Sequence, residues 1–144
     1  MIDIRTSVRV TPKKNVRKSN AVIVQLRYSL KGIDHDGEYS LFAGTCIDSR
    51  SKFRFKHKFY IKRYGSGPTA KIKALCDCEN FTYTWEVALL KQHSSVRYNS
   101  NGMRPRLTNP KMIPGLCKHL ISALKATMNI HPTREAKIPL PRNF

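Results

Sequence analysis

Acidic residues are scarce in this chain of 144 residues: nine, against 27 lysines and arginines, for a formal net charge of +18. Such an excess points to a polyanionic partner, either nucleic-acid phosphate or a matching acidic protein surface. Long apolar runs are missing as well. None approaches the ~20 residues of a membrane-spanning helix, and the opening Met1-Ile2-Asp3-Ile4-Arg5-Thr6 lacks the apolar core of a secretory signal. The expectation is a soluble protein made in a cytoplasm, with no membrane partner. Hydrophobic residues make up only 40% of the chain, a modest core for one domain, so a metal staple would be useful. The four cysteines are few enough to suit a reducing compartment. Internal repeats, a glycine-rich phosphate loop and a His-Glu-x-x-His site are all lacking, so no enzyme class and no small-molecule substrate is indicated.

What is present is an arrangement. Cys76 and Cys78 frame Asp77, and Cys117 and His119 frame Lys118. Three thiols and an imidazole in two tight pairs are the donor set of a closed tetrahedral zinc site, so Zn²⁺ is the expected cofactor. In an extended chain side chains repeat every two residues, which turns Cys76 and Cys78 to one side. Positions two apart diverge within a helix, so the second pair is expected to straddle a helix start just after Pro114-Gly115. Zinc would then pin the end of a strand to the start of a helix. A Cys76–Cys78 disulfide is disfavoured by strain. A cysteine-protease pair of Cys117 and His119 lacks an orienting third residue. Binding Zn²⁺ through three thiolates changes the net charge by about −1, so the basic excess survives.

The ligand pattern, with Leu75, Leu116 and Leu120 beside it, resembles the SWIM zinc finger, Cys-x-Cys followed by Cys-x-His. The resemblance implies a small strand-strand-helix zinc module that binds DNA or protein and has no catalysis of its own. The gap between the pairs is longer here than is usual in that family. The same span, with Ser-Asn-Gly at 100–102 and Thr-Asn-Pro at 108–110, also looks like small proteins encoded by large tailed bacteriophages. That likeness implies a protein made in the host cytoplasm and assembled into the virion.

Elsewhere, alternation predicts a strand from Ile4 to Val10, then a basic connector over 11–20. Further strands are expected with Val22, Val24, Leu26, Tyr28 and Leu30 on one face, from Tyr39 to Ile47, from Phe53 to Tyr64, and from Lys71 to Leu75. Asp34-His35-Asp36 reads as a solvated turn and Cys46 as a small buried hydrophobe outside the metal shell. Phe53, Phe55, Phe59 and Ile61 are expected inside with His57, a packed histidine. Arg54, Lys56, Lys58 and Lys62 are expected outside with Tyr60. A helical stripe of Phe81, Trp85, Ala88 and Leu89 predicts a helix over 79–91. A long polar loop follows at 92–115, then a helix from Leu116 to about Ile130.

The expected fold is α+β: a mainly antiparallel sheet followed by a zinc-pinned helical segment. Residues 1–130 would form a single domain, with the zinc module at about 72–130 and a proline-interrupted tail at 131–144. The leading function is a non-enzymatic structural or assembly protein, a neck, tail or baseplate part of a tailed phage, docking through 92–115 and the tail. The alternative is a nucleic-acid-binding module. Its polyanion-binding residues would be Lys13, Lys14, Arg17, Lys18, Arg50, Lys52, Arg54, Lys56, Lys58, Lys62 and Arg63.

Overall fold

The computed structural model describes residues 1–52, 55–95, 105 and 107–135. The chain opens with two short helices, α1 (Ile4–Val10) and α2 (Lys13–Ser19), where a strand and a loop were expected. The alternation that suggested a strand also fits a helix, because Ile4, Ser7, Val8 and Thr11 fall at i, i+3, i+4 and i+7. Asp3 decides the matter, its carboxylate accepting the Thr6 N–H at 2.6 Å as an N-cap. In α2, Pro12 stands just ahead of the first turn, and the buried face carries Asn15 and Ser19. Its polar inner face is why it resembled a solvated connector.

The central sheet is antiparallel, in the order β1 (Val22–Asp34), β2 (Gly37–Asp48), β3 (Lys56–Tyr64) and β4 (Lys71–Cys76). Asp34 pairs with Gly37 across His35-Asp36, and Asp34 Oδ1 accepts the Asp36 N–H at 2.8 Å. Gly37 takes φ +118°, which a side chain would resist. The first connection is therefore the turn expected at Asp34–Asp36. A bulge between Leu26 and Tyr28 interrupts β1 and turns Tyr28 and Leu30 to the face opposite Val22, Val24 and Leu26, although all five were expected on one face. Gly44 sits opposite the bulge, where a Cβ would collide with the Gln25 carbonyl oxygen.

Register sorts the strands into two faces. Phe42, Cys46, Phe59, Ile61, Ala74 and Cys76 point inward and are fully buried. After Cys78 a π-helical stretch, Phe81–Trp85, runs into α3 (Glu86–Lys91), burying Phe81, Trp85, Ala88 and Leu89 as the stripe predicted. The last helix, α4 (Lys118–Thr127), packs on the inner face through Leu120, Ile121 and Leu124. The observed class is therefore α+β, a four-stranded antiparallel sheet with helices.

β3 corrects the expected alternation at Phe55 and Lys62, and the expected polyanion-binding role of Arg63. Phe59 and Ile61 are fully buried, but Phe55 is 66% exposed, because it precedes the paired part of the strand. Lys62, expected outside, is 4% exposed: Asp34 lies 3.1 Å from its Nζ, and the Tyr39 ring centroid lies 4.4 Å away. Arg63 is buried as well, since it meets the backbone carbonyls that end α4. Phe53 and Arg54 lie outside the described residues, as do most of the loop, 96–104 and 106, and the tail from 136.

Candidate metal centre

β4 ends at Cys76, which pairs with Phe59 of β3, and the extended backbone turns Cys76 and Cys78 inward with Asp77 between them on the surface. Asp77 bends back to β3: its Oδ1 accepts the Lys58 N–H at 3.0 Å and lies 3.1 Å from His57 Nδ1. Cys78 stands at the start of the next helix, where its sulfur receives the Phe81 N–H at 3.3 Å. Cys117 is the N-cap of α4, with extended φ −74° and ψ 163°, and His119 lies in the first helical turn. The second pair therefore straddles a helix start, as its spacing required.

These four side chains converge. One donor atom from each lies within 4.8 Å of all the others, and all four residues are at most 4% exposed. Cys76 Sγ and His119 Nδ1 are 3.9 Å apart, and His119 Nε2 is buried with no hydrogen-bond partner. All four cysteines of the chain are free thiols. The His57 ring stacks on His119 at 4.7 Å, a packing role and not one of the four donors. Cys46 is fully buried behind the cluster, its sulfur 3.6 Å from the His119 carbonyl oxygen. The cluster can hold a metal ion.

Distant parts of the chain hold the second pair in place, and sequence reasoning missed them. Thr11 Oγ1 accepts the Leu116 N–H at 2.9 Å, and Asn15 Nδ2 donates to the Leu116 carbonyl at 3.4 Å. The residue before Cys117 is thus gripped on both backbone groups by the segment read as a connector. Gly115 lets this happen, because a Cβ there would press on the Trp85 ring at 3.0 Å and on Thr11 Oγ1 at 3.1 Å. Asn109, 3% exposed, donates to the Thr84 and Ile113 carbonyls and accepts the Ile113 N–H, each at 2.9 Å. It fastens the end of the long loop to the π-helical stretch. Thr11-Pro12 and Asn109-Pro110 were the local signals for these roles.

The sulfurs share charge unequally. Hydrogen bonds from the Cys117 and Cys76 thiols, with the Phe81 N–H, hold Cys78 far below the usual thiol range. Donating to Cys117 and Cys78, and burial, hold Cys76 well above it. Burial, helped by its hydrogen bond to Cys78 and the Cys78 charge, outweighs the hydrogen bond with Cys76 and does the same for Cys117.

The expected polyanion-binding set divides. Lys13, Lys14, Arg17 and Lys18 are exposed on α2, and Arg50 and Lys52 are exposed in the turn after β2. Ser49 donates to the Ala21 carbonyl from its N–H at 2.8 Å and from its hydroxyl at 2.6 Å, which sets that turn beside the end of α2. Lys56 and Lys58 are exposed on β3. Lys62 and Arg63 are internal and leave the set. No family model, curated protein or solved structure matches the chain.

Proposed function

We propose that this protein is a non-enzymatic structural component of a larger assembly, stapled by one zinc ion on Cys76, Cys78, Cys117 and His119. The burial of all four donors carries this reading. A catalytic zinc keeps one position for water or substrate, whereas four protein donors at most 4% exposed leave none open. Thiolate ligation favours zinc over calcium or magnesium. With zinc–sulfur bonds near 2.3 Å and zinc–nitrogen bonds near 2.0–2.1 Å, a tetrahedral sulfur–nitrogen pair stands about 3.6 Å apart, a few tenths of an ångström inside the 3.9 Å between Cys76 Sγ and His119 Nδ1. Bound there, the ion would join the end of β4 to the start of α4, with His57 and Cys46 packed against His119.

The resemblance to SWIM fingers and to proteins of large tailed phages makes a virion the assembly of choice, entered from the host cytoplasm. The docking segments are the loop 92–115 and the tail 131–144. Both leave from anchored positions: Asn109 fixes the loop's return, and the Arg134 carbonyl accepts the Lys31 N–H at 2.7 Å beside β1. Metal analysis should find one zinc per chain, lost in Cys78→Ser and His119→Ala. Deleting residues 132–144 should abolish incorporation into the particle and leave the zinc in place. Metal-free wild type, or normal incorporation of the truncated chain, would refute the reading.

A second reading, a nucleic-acid-binding module, has its own support. Several carboxylates are engaged internally, Asp34 with Lys62, Asp36 with Lys73, Asp48 with Lys118 and Asp77 with His57. Meanwhile Lys13, Lys14, Arg17, Lys18, Arg50, Lys52, Lys56 and Lys58 all face solvent.

A further inference from the structure

The outer face of the sheet carries a cleft that neither the metal nor the docking segments explain. Arg27, Tyr28, Ala43, Gly44, Lys58 and Tyr60 line it, around a volume of about 350 Å³. Its construction follows from register. Tyr28 pairs with Ala43, and Ala43 pairs with Tyr60, so two tyrosines flank one small residue on the same side of three adjacent strands. The β1 bulge interrupts the register at Arg27, which joins the rim. Lys58 and Lys56 continue the outward row along β3, and both are exposed.

Half-buried aromatic rings over a small floor, bordered by cations, match the chemistry of unstacked bases with their phosphates. Each base presents a π-face that a tyrosine can cover, while the backbone runs along a positive edge. A duplex keeps its base faces stacked and would use only the cations. Asp77, beside Lys58, is engaged by the Lys58 N–H and His57, and Glu135 stands exposed at the opposite rim, beside Arg27 and Tyr28. The hairpin carboxylates Asp34 and Asp36 are held by Lys62 and Lys73. Negative charge thus does not compete along the Lys56–Tyr60 edge.

We propose that this face is a single-stranded nucleic-acid site, in which Tyr28 and Tyr60 stack on bases while Arg27, Lys56 and Lys58 hold phosphates. It differs from the charge-only binding that composition suggests, because the rings set a preference for single strands. It stands independently of the assembly reading, since none of its five residues belongs to the loop or the tail, although Arg134 and Glu135 of the tail lie beside Arg27 and Tyr28.

The test is a titration of the zinc-loaded full chain with a labelled oligothymidylate of about 15 nucleotides, and with a duplex of the same length. Wild type should prefer the single strand. With about three phosphates contacted, its affinity should fall roughly 10- to 20-fold between about 50 and 200 mM salt. Tyr60→Leu and Tyr28→Leu should each lose roughly 5- to 150-fold at low salt, whereas Tyr60→Phe, which keeps the ring, should stay within about threefold of wild type. Arg27→Ala, at an exposed position that leaves the fold intact, should lower the salt slope by about 0.7. Zinc content and melting temperature report whether each variant is folded. No binding at low salt, equal or tighter duplex binding, wild-type affinity in folded Tyr60→Leu, or an unchanged slope in Arg27→Ala would each overturn the proposal.

Discussion

At the N-terminal end of α4 the chain gathers three thiols and an imidazole around a point that needs a cation; at the C-terminal end it brings a cation of its own. There the Arg63 guanidinium donates to the carbonyls of Thr127, Met128 and Ile130 at 2.9, 3.3 and 2.7 Å, over the Phe42 ring at 4.9 Å. It satisfies carbonyls that a helix end leaves without partners and complements the negative end of the helix dipole. Both fastenings start from β3 or its partner strand, so the sheet grips one helix at two ends by opposite means. The difference teaches where a basic residue goes. Lys56 and Lys58 are exposed and meet no buried acceptor among the described residues, whereas Lys62 and Arg63 find Asp34 and the helix carbonyls and are drawn in.

The strongest way to break this comparison is to remove the metal end alone. Chelation, or Cys78→Ser, should unfold residues from about 72 to 130, because metal affinity in such sites is folding energy, on the order of 10 kcal/mol. Amide hydrogen exchange in α4 reads the outcome, and protection that survives chelation would mean Arg63 suffices. Reloading the unfolded, metal-free segment should release close to three protons near neutral pH, since thiols with an ordinary pKa of about 8.5 are mostly protonated there. Calorimetry in buffers of different ionisation enthalpy counts them, and affinity should fall as pH falls.

The other end is tested by Arg63→Met, which removes the guanidinium from three carbonyls, of which Thr127 keeps the Ile130 N–H at 3.1 Å. It should cost about 2–4 kcal/mol in denaturant unfolding while zinc stays stoichiometric. Arg63→Lys should fall in between, because a single ammonium cannot span the three acceptors as a planar fork does.

A smaller effect belongs to the ion pair beyond Arg63. Burial opposes ionisation of Asp34, but hydrogen bonds from Tyr64 and Lys62 outweigh it and hold its carboxyl below the usual range. Its contribution is therefore present above the unfolded value near pH 4 and is lost as pH falls through the lower folded value. Asp34→Asn should lower stability at pH 7 and flatten the loss of melting temperature on acidification. An unchanged acid limb would place the proton uptake elsewhere.

The least effect is expected from Cys46→Ala, about 1 kcal/mol, with one zinc retained. Burial, then the negative charges of Cys78 and Asp77, pushes the Cys46 thiol up to about 12. That neutral thiol stabilises the fold below about pH 9 and loses its contribution as pH rises toward 12. Alkylation of Cys46 at pH 8 should therefore follow global unfolding and not local access.

Much of the sheet and the four donors were legible because period and spacing are local. Cys76 and Cys78 two apart on a strand, and Cys117 before a helix, need no knowledge of the rest of the molecule. Lys62 and Arg63 were misread because their acceptors, Asp34 and the end of α4, are remote in sequence. Nothing beside a lysine in the chain announces a carboxylate across a sheet. The N-terminal helices were misread for another reason: Ile4-x-Thr6-x-Val8 fits both periods, and Asn15 and Ser19 make a polar inner face. Arg27, Tyr28, Lys58 and Tyr60 are each visible, but only strand pairing brings them to one cleft.

The grip of Thr11 and Asn15 on Leu116 also bears on how the protein is made. Thr11 and Leu116 are 105 residues apart, so this contact closes late and at high cost in chain entropy. Cys76 and Cys78 leave the ribosome roughly 2–8 s before Cys117 and His119 at ordinary elongation rates. During that interval the first pair can hold a metal only loosely, with two positions open to other thiols or to exchange. The residues of α1 and α2 are synthesised long before, but such short helices are marginal alone and gain their dock for Leu116 only as they pack. Its arrival there sets Cys117 and His119 against the waiting pair and makes the start of the chain the gate to completing the metal centre.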